Sequence, residues 1–351
     1  MNQEMREKIK NLVETAPEYE SLRNHVKVKN KLHMLCVSGS HAYGTARSDS
    51  DIDIRGFVSL DKPYAMGVLD DWETISLPET DTVIYSYRQM LRLIAKGNPD
   101  TIVLLGNGID DYLYLSNTAK QLVENHTDFL GAKGIFNSFV GYANAQLRKL
   151  ELAEIGRLAE RKEVVRDKKL SILNNAIYNM QTKYPTVSGN NLNIEFDVPA
   201  DENDKVLIKS MQCSKINVDN FFDVARDIKN ITNNFGKKGK RNEKKSDFKL
   251  NKHCMHTIRV MQMGIECLET GRVVTYREKD LPLLRDILNG AFMDNEGKMR
   301  PEFYEMLSEI RKQADYAYEH TVLPMEADPY KISEMMYAFI LDAMKTNKKL
   351  I

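Results

Sequence analysis

Apolar and polar positions alternate through the first third of the chain in a pattern that predicts β-strands. An apolar run over residues 32–38 predicts a buried strand, and residues 51–60 predict a second strand whose alternate side chains share a face. Residues 81–87 predict a third, because β-branched and aromatic residues dominate there. A helix is predicted over 88–96, ending before a Gly-Asn-Pro sequence that breaks helices. Together these elements predict a small sheet flanked by helices.

Most of the remaining chain has the three- and four-residue apolar spacing of helices. Helices are predicted over 1–30, with a break near Pro17, and over 135–159. A further helix is predicted over 249–270, and its apolar stripe is formed by Met255, Ile258, Met261, Ile265 and Leu268.

Residues 185–245 are the least regular part of the chain, with a short strand predicted over 191–198. They include a basic, glycine-containing loop over 237–245. Such a loop is usually a solvated surface, and contact with nucleic acid is the alternative, because phosphate binding needs only clustered Lys and Arg.

Composition limits the class of protein. The chain has 351 residues, 42% of them hydrophobic, and a formal net charge of zero. That length accommodates two domains with cores, and the balanced charge argues against a protein that coats nucleic acid nonspecifically. Four scattered cysteines predict buried thiols in a reducing compartment, and no apolar run reaches the length of a membrane span. We therefore expect a cytoplasmic protein with no membrane contact.

The second predicted strand carries the candidate chemistry. Asp51, Asp53 and Arg55 alternate along it and share one face, whereas Ile52 and Ile54 point into a core. Two neighbouring carboxylates repel each other, so the pair favours an external cation. Oxygen ligands of this kind suit Mg²⁺, which takes its remaining ligands from water and substrate phosphates.

A Gly39-Ser40 turn lies just upstream, where the first strand ends. Glycine permits close approach of the backbone, and a following helix favours anions, so this turn is a candidate phosphate site. A phosphate site beside a carboxylate pair predicts metal-dependent nucleotidyl transfer.

These residues resemble a known signature. Gly39-Ser40, ten intervening residues and then Asp51-Ile52-Asp53-Ile54 resemble the motif of the DNA polymerase β-like nucleotidyltransferase superfamily. The longer segments 39–44 and 50–56 are similar to one branch, the RNA-repair-pathway DNA polymerase β family of predicted nucleotidyltransferases from bacteria and phages. The Lys252-x-x-x-His256-x-x-Arg259 pattern of the 249–270 helix also looks like this branch.

The resemblance implies an α+β fold with two domains. A nucleotidyltransferase domain over 1–115 would contain the mixed sheet, and a mostly helical domain over 116–351 would bind substrate, with an irregular insertion around 185–245. The active site would lie in the cleft between them.

The resemblance also implies roles for the site residues. Asp51 and Asp53 would hold two Mg²⁺ ions, with Mn²⁺ as an alternative, and Asp81 would complete the metal site and help to deprotonate the attacking hydroxyl. Glu79 is the alternative third carboxylate. The triphosphate of an NTP would contact the remaining candidates, which are Gly39, Ser40, Arg55, Lys252, His256 and Arg259. For the last three, a phosphate of the acceptor is the alternative target. Arg55 pairing with Asp53, and helix cations pairing with acids elsewhere, are the structural alternatives.

The expected reaction moves an NMP from an NTP to an acceptor hydroxyl and releases pyrophosphate. The resemblance favours an RNA 3′ end as acceptor, such as a tRNA under repair. Nucleotidylation of a protein (AMPylation) or of a small molecule is the first alternative, and an inactive nucleotide-binding scaffold is the second. The choice of NTP, the oligomeric state and the pathway do not follow from the residues.

Overall fold

The computed structural model describes residues 3–70, 72–143, 192–198, 207–214, 247–294 and 298–346, with isolated positions between 170 and 229. The chain divides into two compact units. The first comprises residues 1–145, 255–292 and 300–351, and the second comprises 146–254 and 293–299. The predicted domain boundary near residue 115 stays a prediction.

A five-stranded mixed sheet forms the centre of the first unit. Its strands are β1 (Leu32–Ser38), β2 (Asp53–Val58), β3 (Thr74–Leu77), β4 (Thr82–Ser86) and β5 (Tyr112–Leu115). They are ordered β3-β4-β2-β1-β5, and β2 pairs with β4 in parallel whereas the other pairs are antiparallel. The strand predicted over 32–38 is confirmed at both ends. The second is shorter than predicted at both ends, because residues 51 and 52 precede the strand and residues 59 and 60 follow it.

Helices surround the sheet and make up the C-terminal part of the first unit. The helices before and within the sheet region are α1 (Gln3–Thr15), α2 (Glu20–Asn24), α3 (Gly39–Tyr43), α4 (Lys62–Ala65), α5 (Tyr87–Ala95), α6 (Pro99–Ile102) and α7 (Asn117–Glu124). Those after it are α8 (Asp247–Thr270), which begins in the second unit, α9 (Leu281–Leu288), α10 (Pro301–Glu319) and α11 (Pro329–Thr346). Residues 132–143 are also helical. A mixed sheet with a helical C-terminal region agrees with the predicted α+β class.

Local sequence explains several helix ends. α1 stops at Thr15, and Pro17 starts a short 3-10 turn, as the predicted break requires. α5 begins one residue before its predicted start, where the Ser86 side chain accepts a hydrogen bond from the Gln89 N–H. The Asn98 side chain caps α6 by accepting from the Asp100 N–H at 3.0 Å.

Each face of the sheet covers its own hydrophobic core. On one face, Leu35, Val37 and Ile54 pack with Ile9 and Val13 of α1. On the other, Met34, Cys36 and Phe57 join a larger cluster that contains α5 and buried residues of α8, α10 and α11. Ile54 is fully buried, which confirms that it points into a core. The alternation along β2 therefore assigns its odd-numbered residues to the face opposite α1.

The described part of the second unit contains an antiparallel pair, β6 (Leu192–Asp197) and β7 (Leu207–Cys213). This confirms the short strand predicted over 191–198. The predicted helix beyond residue 143 and the basic loop over 237–245 lie outside the described residues.

Three of the four cysteines agree with the expected free thiols. Cys36, Cys254 and Cys267 are buried and unbonded to one another, and burial raises the pKa of Cys36 and of Cys267 to about 12. In the segments that the structure describes, no helix combines the length and the hydropathy needed to cross a bilayer.

A buried histidine lies where β1 meets α11. His33 Nδ1 is 3.0 Å from Ser116 Oγ, and its Nε2 is 2.5 Å from Ser59 Oγ. The ring packs edge-on against Phe339, with the centroids 4.7 Å apart. Burial lowers the pKa of His33 to about 4, although the Asp342 carboxylate opposes this shift. The fold therefore holds this imidazole in its neutral form.

We expect His33 to make stability fall in acid. The folded-state pKa lies below the ordinary value near 6.5, so the unfolded chain takes up a proton first as the pH falls. The contribution of His33 to the free energy of unfolding is fully present above about pH 6.5 and is lost as the pH falls towards 4. Its upper limit is about 3 kcal/mol. The measurement is the free energy of unfolding of the wild type and His33→Gln at pH 7, 5.5 and 4. The free energies of unfolding of the wild type and the variant should converge as the pH falls. A difference that stays constant with pH contradicts the prediction.

Candidate active site

The turn after β1 packs directly against a carboxylate. Gly39 has φ +62°, in the left-handed region that glycine tolerates. A Cβ added to Gly39 would collide with Oδ2 of Asp53. The register explains the contact, because Ser38 pairs with Asp53 across β1 and β2. The predicted phosphate turn and one predicted metal ligand are therefore brought together.

Asp51 differs from Asp53 in exposure and in secondary structure. Asp53 begins β2 and is half-buried, whereas Asp51 precedes the strand and is exposed. Asp53 and Arg55 share a face, as predicted. The pleat of β2 does not extend to Asp51, so the strand itself does not determine the direction of that side chain.

Arg55 joins the ends of two strands. Its Nη2 donates to Asp53 Oδ1 at 3.2 Å, and its Nη1 donates to the Ile54 carbonyl at 2.9 Å. The same Nη1 donates to the Asp81 carbonyl, just before β4. Arg55 is thus paired with Asp53, as its structural alternative predicts. Its contact with phosphate stays a prediction.

Of the two candidates for the third carboxylate, Asp81 directly precedes β4, and its carbonyl accepts a hydrogen bond from the Ile54 N–H at 3.3 Å. Asp81 is exposed and left-handed, with φ 45°. Burial raises the pKa of Tyr19, and the carboxylates of Glu18 and Asp81 raise it further. Glu79 accepts a hydrogen bond from Ser21 Oγ at 3.4 Å. The role of either acid as a metal ligand stays a prediction.

The loop that carries Asp51 is tied to α3. The buried His41 has Nε2 within 3.3 Å of the Ser50 carbonyl oxygen. The Arg47 N–H donates to Ser50 Oγ at 2.9 Å, and the Thr45 N–H donates to the Ser40 carbonyl at 3.0 Å. These bonds hold the residue before Asp51 close to the turn. Sequence reasoning gave His41 no role, and only its position beside the turn pointed to one.

The three cations predicted on α8 differ in their surroundings. Lys252 is exposed and belongs to the second unit, and His256 is half-buried. Arg259 is only 5% exposed, and its Cζ lies 3.6 Å from the ring centroid of Tyr43. Because Tyr43 ends α3, Arg259 is brought to the helix that begins at the phosphate turn. The predicted triphosphate contacts of all three cations stay predictions.

The C-terminal end of α3 is enclosed by the chain that follows α8. The Arg277 N–H donates to the Tyr43 carbonyl at 3.2 Å. Gly44, with φ +82°, lies so close to the Tyr276 ring that an added Cβ would be 2.7 Å from it. Arg277 itself pairs with Glu266 and Asp280. Nothing in the sequence pattern linked this segment to α3.

Tyr85 is a further residue on the Arg55 face that sequence reasoning missed. The parallel register pairs Phe57 with Tyr85, two residues beyond the pair of Arg55 with Val83. Burial raises the pKa of Tyr85, the Asp100 carboxylate adds to this effect and Arg55 opposes it. Alternation along the predicted strand, combined with parallel pairing to β2, would have placed this side chain beside Arg55.

The carboxylates fit a metal ion that is shared with a substrate. No three His, Cys, Asp or Glu side chains within the described ranges are grouped so that they could hold a metal by themselves. Mg²⁺ commonly uses one or two carboxylates and takes its other ligands from phosphates and water. Asp51 and Asp53, beside a turn suited to phosphate, match that ligand set.

One comparison with known proteins matches the N-terminal part of the chain. Residues 4–171 match the model of the RNA repair pathway DNA polymerase beta family. This is the family that the motif resembles, so the resemblance is confirmed. Searches of the curated proteins and of the solved structures found no match.

The Gly39 contact predicts an unusually costly alanine substitution. Gly67 provides a matched control, because its φ is +73° but an added Cβ would meet nothing within 4 Å. Both substitutions cost about 1–2 kcal/mol for the left-handed backbone. Gly39→Ala should cost about 1 kcal/mol more, because it also displaces the Asp53 carboxylate.

A double-mutant cycle isolates that contact. Chemical denaturation of Gly39→Ala, Asp53→Ala and the double variant gives the coupling energy. Most of the extra cost of Gly39→Ala should vanish in the Asp53→Ala background. Equal costs in both backgrounds would show that the two residues are not in contact.

Proposed function

We propose, from the family match over residues 4–171, that this protein is a Mg²⁺-dependent nucleotidyltransferase. It would move an NMP from an NTP to an acceptor hydroxyl and release pyrophosphate. The observation that carries the proposal is the packing of the Gly39 backbone against the Asp53 carboxylate. A triphosphate on this turn would lie beside the acid that holds its cation, which is the juxtaposition that nucleotidyl transfer needs.

The chain would bind the triphosphate through the turn. The backbone N–H of Gly39 and the half-exposed Ser40 hydroxyl are the proposed donors to the β- and γ-phosphates. Asp51 and Asp53 would hold Mg²⁺. When bound, that ion neutralises phosphate charge and lowers the pKa of a coordinated hydroxyl. A second ion, with Asp81 as a ligand and proton acceptor, is part of the proposal that the family resemblance supplies.

Arg55 acts on this site by positioning Asp53. Its Nη2 donates a hydrogen bond to Oδ1 of Asp53, while Oδ2 of Asp53 packs against the Gly39 turn. Its bonds to the Ile54 and Asp81 carbonyls keep the guanidinium in place. Asp53 is therefore held in one orientation before substrate binds, which reduces the reorganisation needed for the reaction.

We propose an RNA 3′ end as the acceptor, supported by the name of the matched family, which refers to RNA repair. Protein hydroxyls and small molecules are the competing acceptors, and the experiments below separate them.

Asp53→Asn should abolish the proposed chemistry while leaving the shape of the side chain nearly unchanged. We expect Mg²⁺-dependent NTP binding to weaken and transfer to fall by at least about 100-fold, because an amide is a poor Mg²⁺ ligand. Asp49→Asn is the matched control, since Asp49 is an exposed acid of the same loop that pairs only weakly with Arg47, at 3.7 Å. Calorimetry and pyrophosphate release measure the two effects. Wild-type binding and activity in Asp53→Asn would remove the proposal, whereas NTP binding without any transfer by the wild type would favour an inert scaffold.

The acceptor is identified by transfer of label. Incubation with each α-³²P-labelled NTP and Mg²⁺, together with RNA or protein fractions, should label RNA at its 3′ end. Blocking that end by periodate oxidation should remove the signal, since the reacting hydroxyl is then lost. Label found only in protein would instead assign nucleotidylation of a protein.

A further inference from the structure

Several enclosed side-chain polar atoms on α8 lack hydrogen-bond partners, and two of them lie close together near α3. These two are Nε of Arg259 and Oε1 of Gln262. An unpaired buried donor or acceptor costs about 1–3 kcal/mol, so folded proteins rarely keep one without a reason. The two residues are three positions apart on one helix, which makes them neighbours on its surface.

The surroundings of Arg259 make its unpaired state more costly. Its guanidinium is stacked on the Tyr43 ring, and Nη1 contacts the Met263 sulfur at 3.1 Å. No carboxylate of the described residues pairs with it. A guanidinium only 5% exposed and without an anion is expensive, because neither water nor an opposite charge compensates its desolvation. Such a group is better explained by a ligand than by the fold alone.

The chemistry of the pair indicates which part of a nucleotide it would contact. Arg259 can only donate hydrogen bonds, whereas the enclosed Gln262 carbonyl accepts one. A phosphate near neutral pH is mainly an acceptor and does not suit the Gln262 oxygen. The edge of a nucleobase presents donors and acceptors side by side, so one base edge can serve both groups.

The position of Tyr43 on α3 is also suitable for contact with a nucleobase. Tyr43 lies four residues after Gly39 on one short helix, a rise of about 6 Å. The residue whose ring carries the Arg259 guanidinium is thus displaced along α3 from the phosphate turn, as a base is displaced from the phosphates of a nucleotide.

We propose that Arg259 and Gln262 form the subsite that recognises the base of the NTP, with Tyr43 holding the guanidinium in place. This rests on the proposed function, and it assigns Arg259 to the base in place of its predicted contact with the triphosphate. Lys252 and His256 take no part in it.

The test compares ligands that all contain three linked phosphates but differ in whether a ribose and a base are attached. The full-length chain is titrated with each of the four NTPs, with ribose 5-triphosphate and with tripolyphosphate, all in the presence of Mg²⁺. Gln262→Met keeps the length of the side chain and removes its hydrogen bonds. Gln313→Met is the matched control, because Gln313 is exposed on α10.

Gln262→Met should weaken the best-bound NTP about 10-fold and leave ribose 5-triphosphate and tripolyphosphate unchanged, since only the base contact is lost. Arg259→Lys retains the charge but removes Nε–H, and it should also weaken the NTP more than tripolyphosphate. Thermal unfolding of Gln262→Met should show no loss of stability, because the variant removes an unpaired oxygen.

Two results would overturn the base subsite. Equal weakening of all the ligands would show that these residues act on the phosphates or on packing, and no weakening of any ligand would show that they make no contact with the nucleotide. The proposed function fails separately, if the wild type binds no triphosphate with Mg²⁺ or if Asp53→Asn binds as well as the wild type.

Discussion

The close packing of the Gly39 backbone against the Asp53 carboxylate is the constraint on which the rest of the candidate site depends. It exists because Ser38 is paired with Asp53 across two antiparallel strands. A slip of one residue would turn every side chain of β2 to the opposite face. That slip would move the fully buried Ile54 out of its core and put Asp53 into it. The hydrophobic core therefore fixes the geometry of the polar site.

Sequence reasoning was most successful where local pattern and core burial agree. The bounds of β1, the break before Pro17 and the inward direction of Ile54 all follow from the alternation or spacing of apolar residues. The spacing between Gly39 and Asp53 was informative for the same reason. A turn and an acid at the ends of two adjacent antiparallel strands must meet if the strands pair in the register that buries their apolar side chains.

Other parts of the site depend on contacts that no local pattern encodes. The second strand begins later than predicted, since hydrogen bonds of His41 and Arg47 to Ser50 hold the preceding residues in a loop. The 3-10 turn over Pro78–Thr80 leaves Asp81 left-handed, which alternation along β4 could not indicate. Helical periodicity placed Lys252, His256 and Arg259 near one another. It could not distinguish the buried cation from the exposed one, because the buried Arg259 is stacked on Tyr43, more than two hundred residues earlier in the chain.

The thiol of Cys36 lies within this framework, directly across from Arg55 in the paired strands, and it contacts the Arg55 carbonyl at 3.6 Å. It is fully buried, and its pKa of about 12 leaves almost no thiolate at physiological pH. Oxidants and alkylating agents attack the thiolate, so this sulfur is protected both by its protonation and by its burial. The strand pair that carries Asp53 and Arg55 can therefore keep a cysteine at its centre without making the site sensitive to oxidative stress.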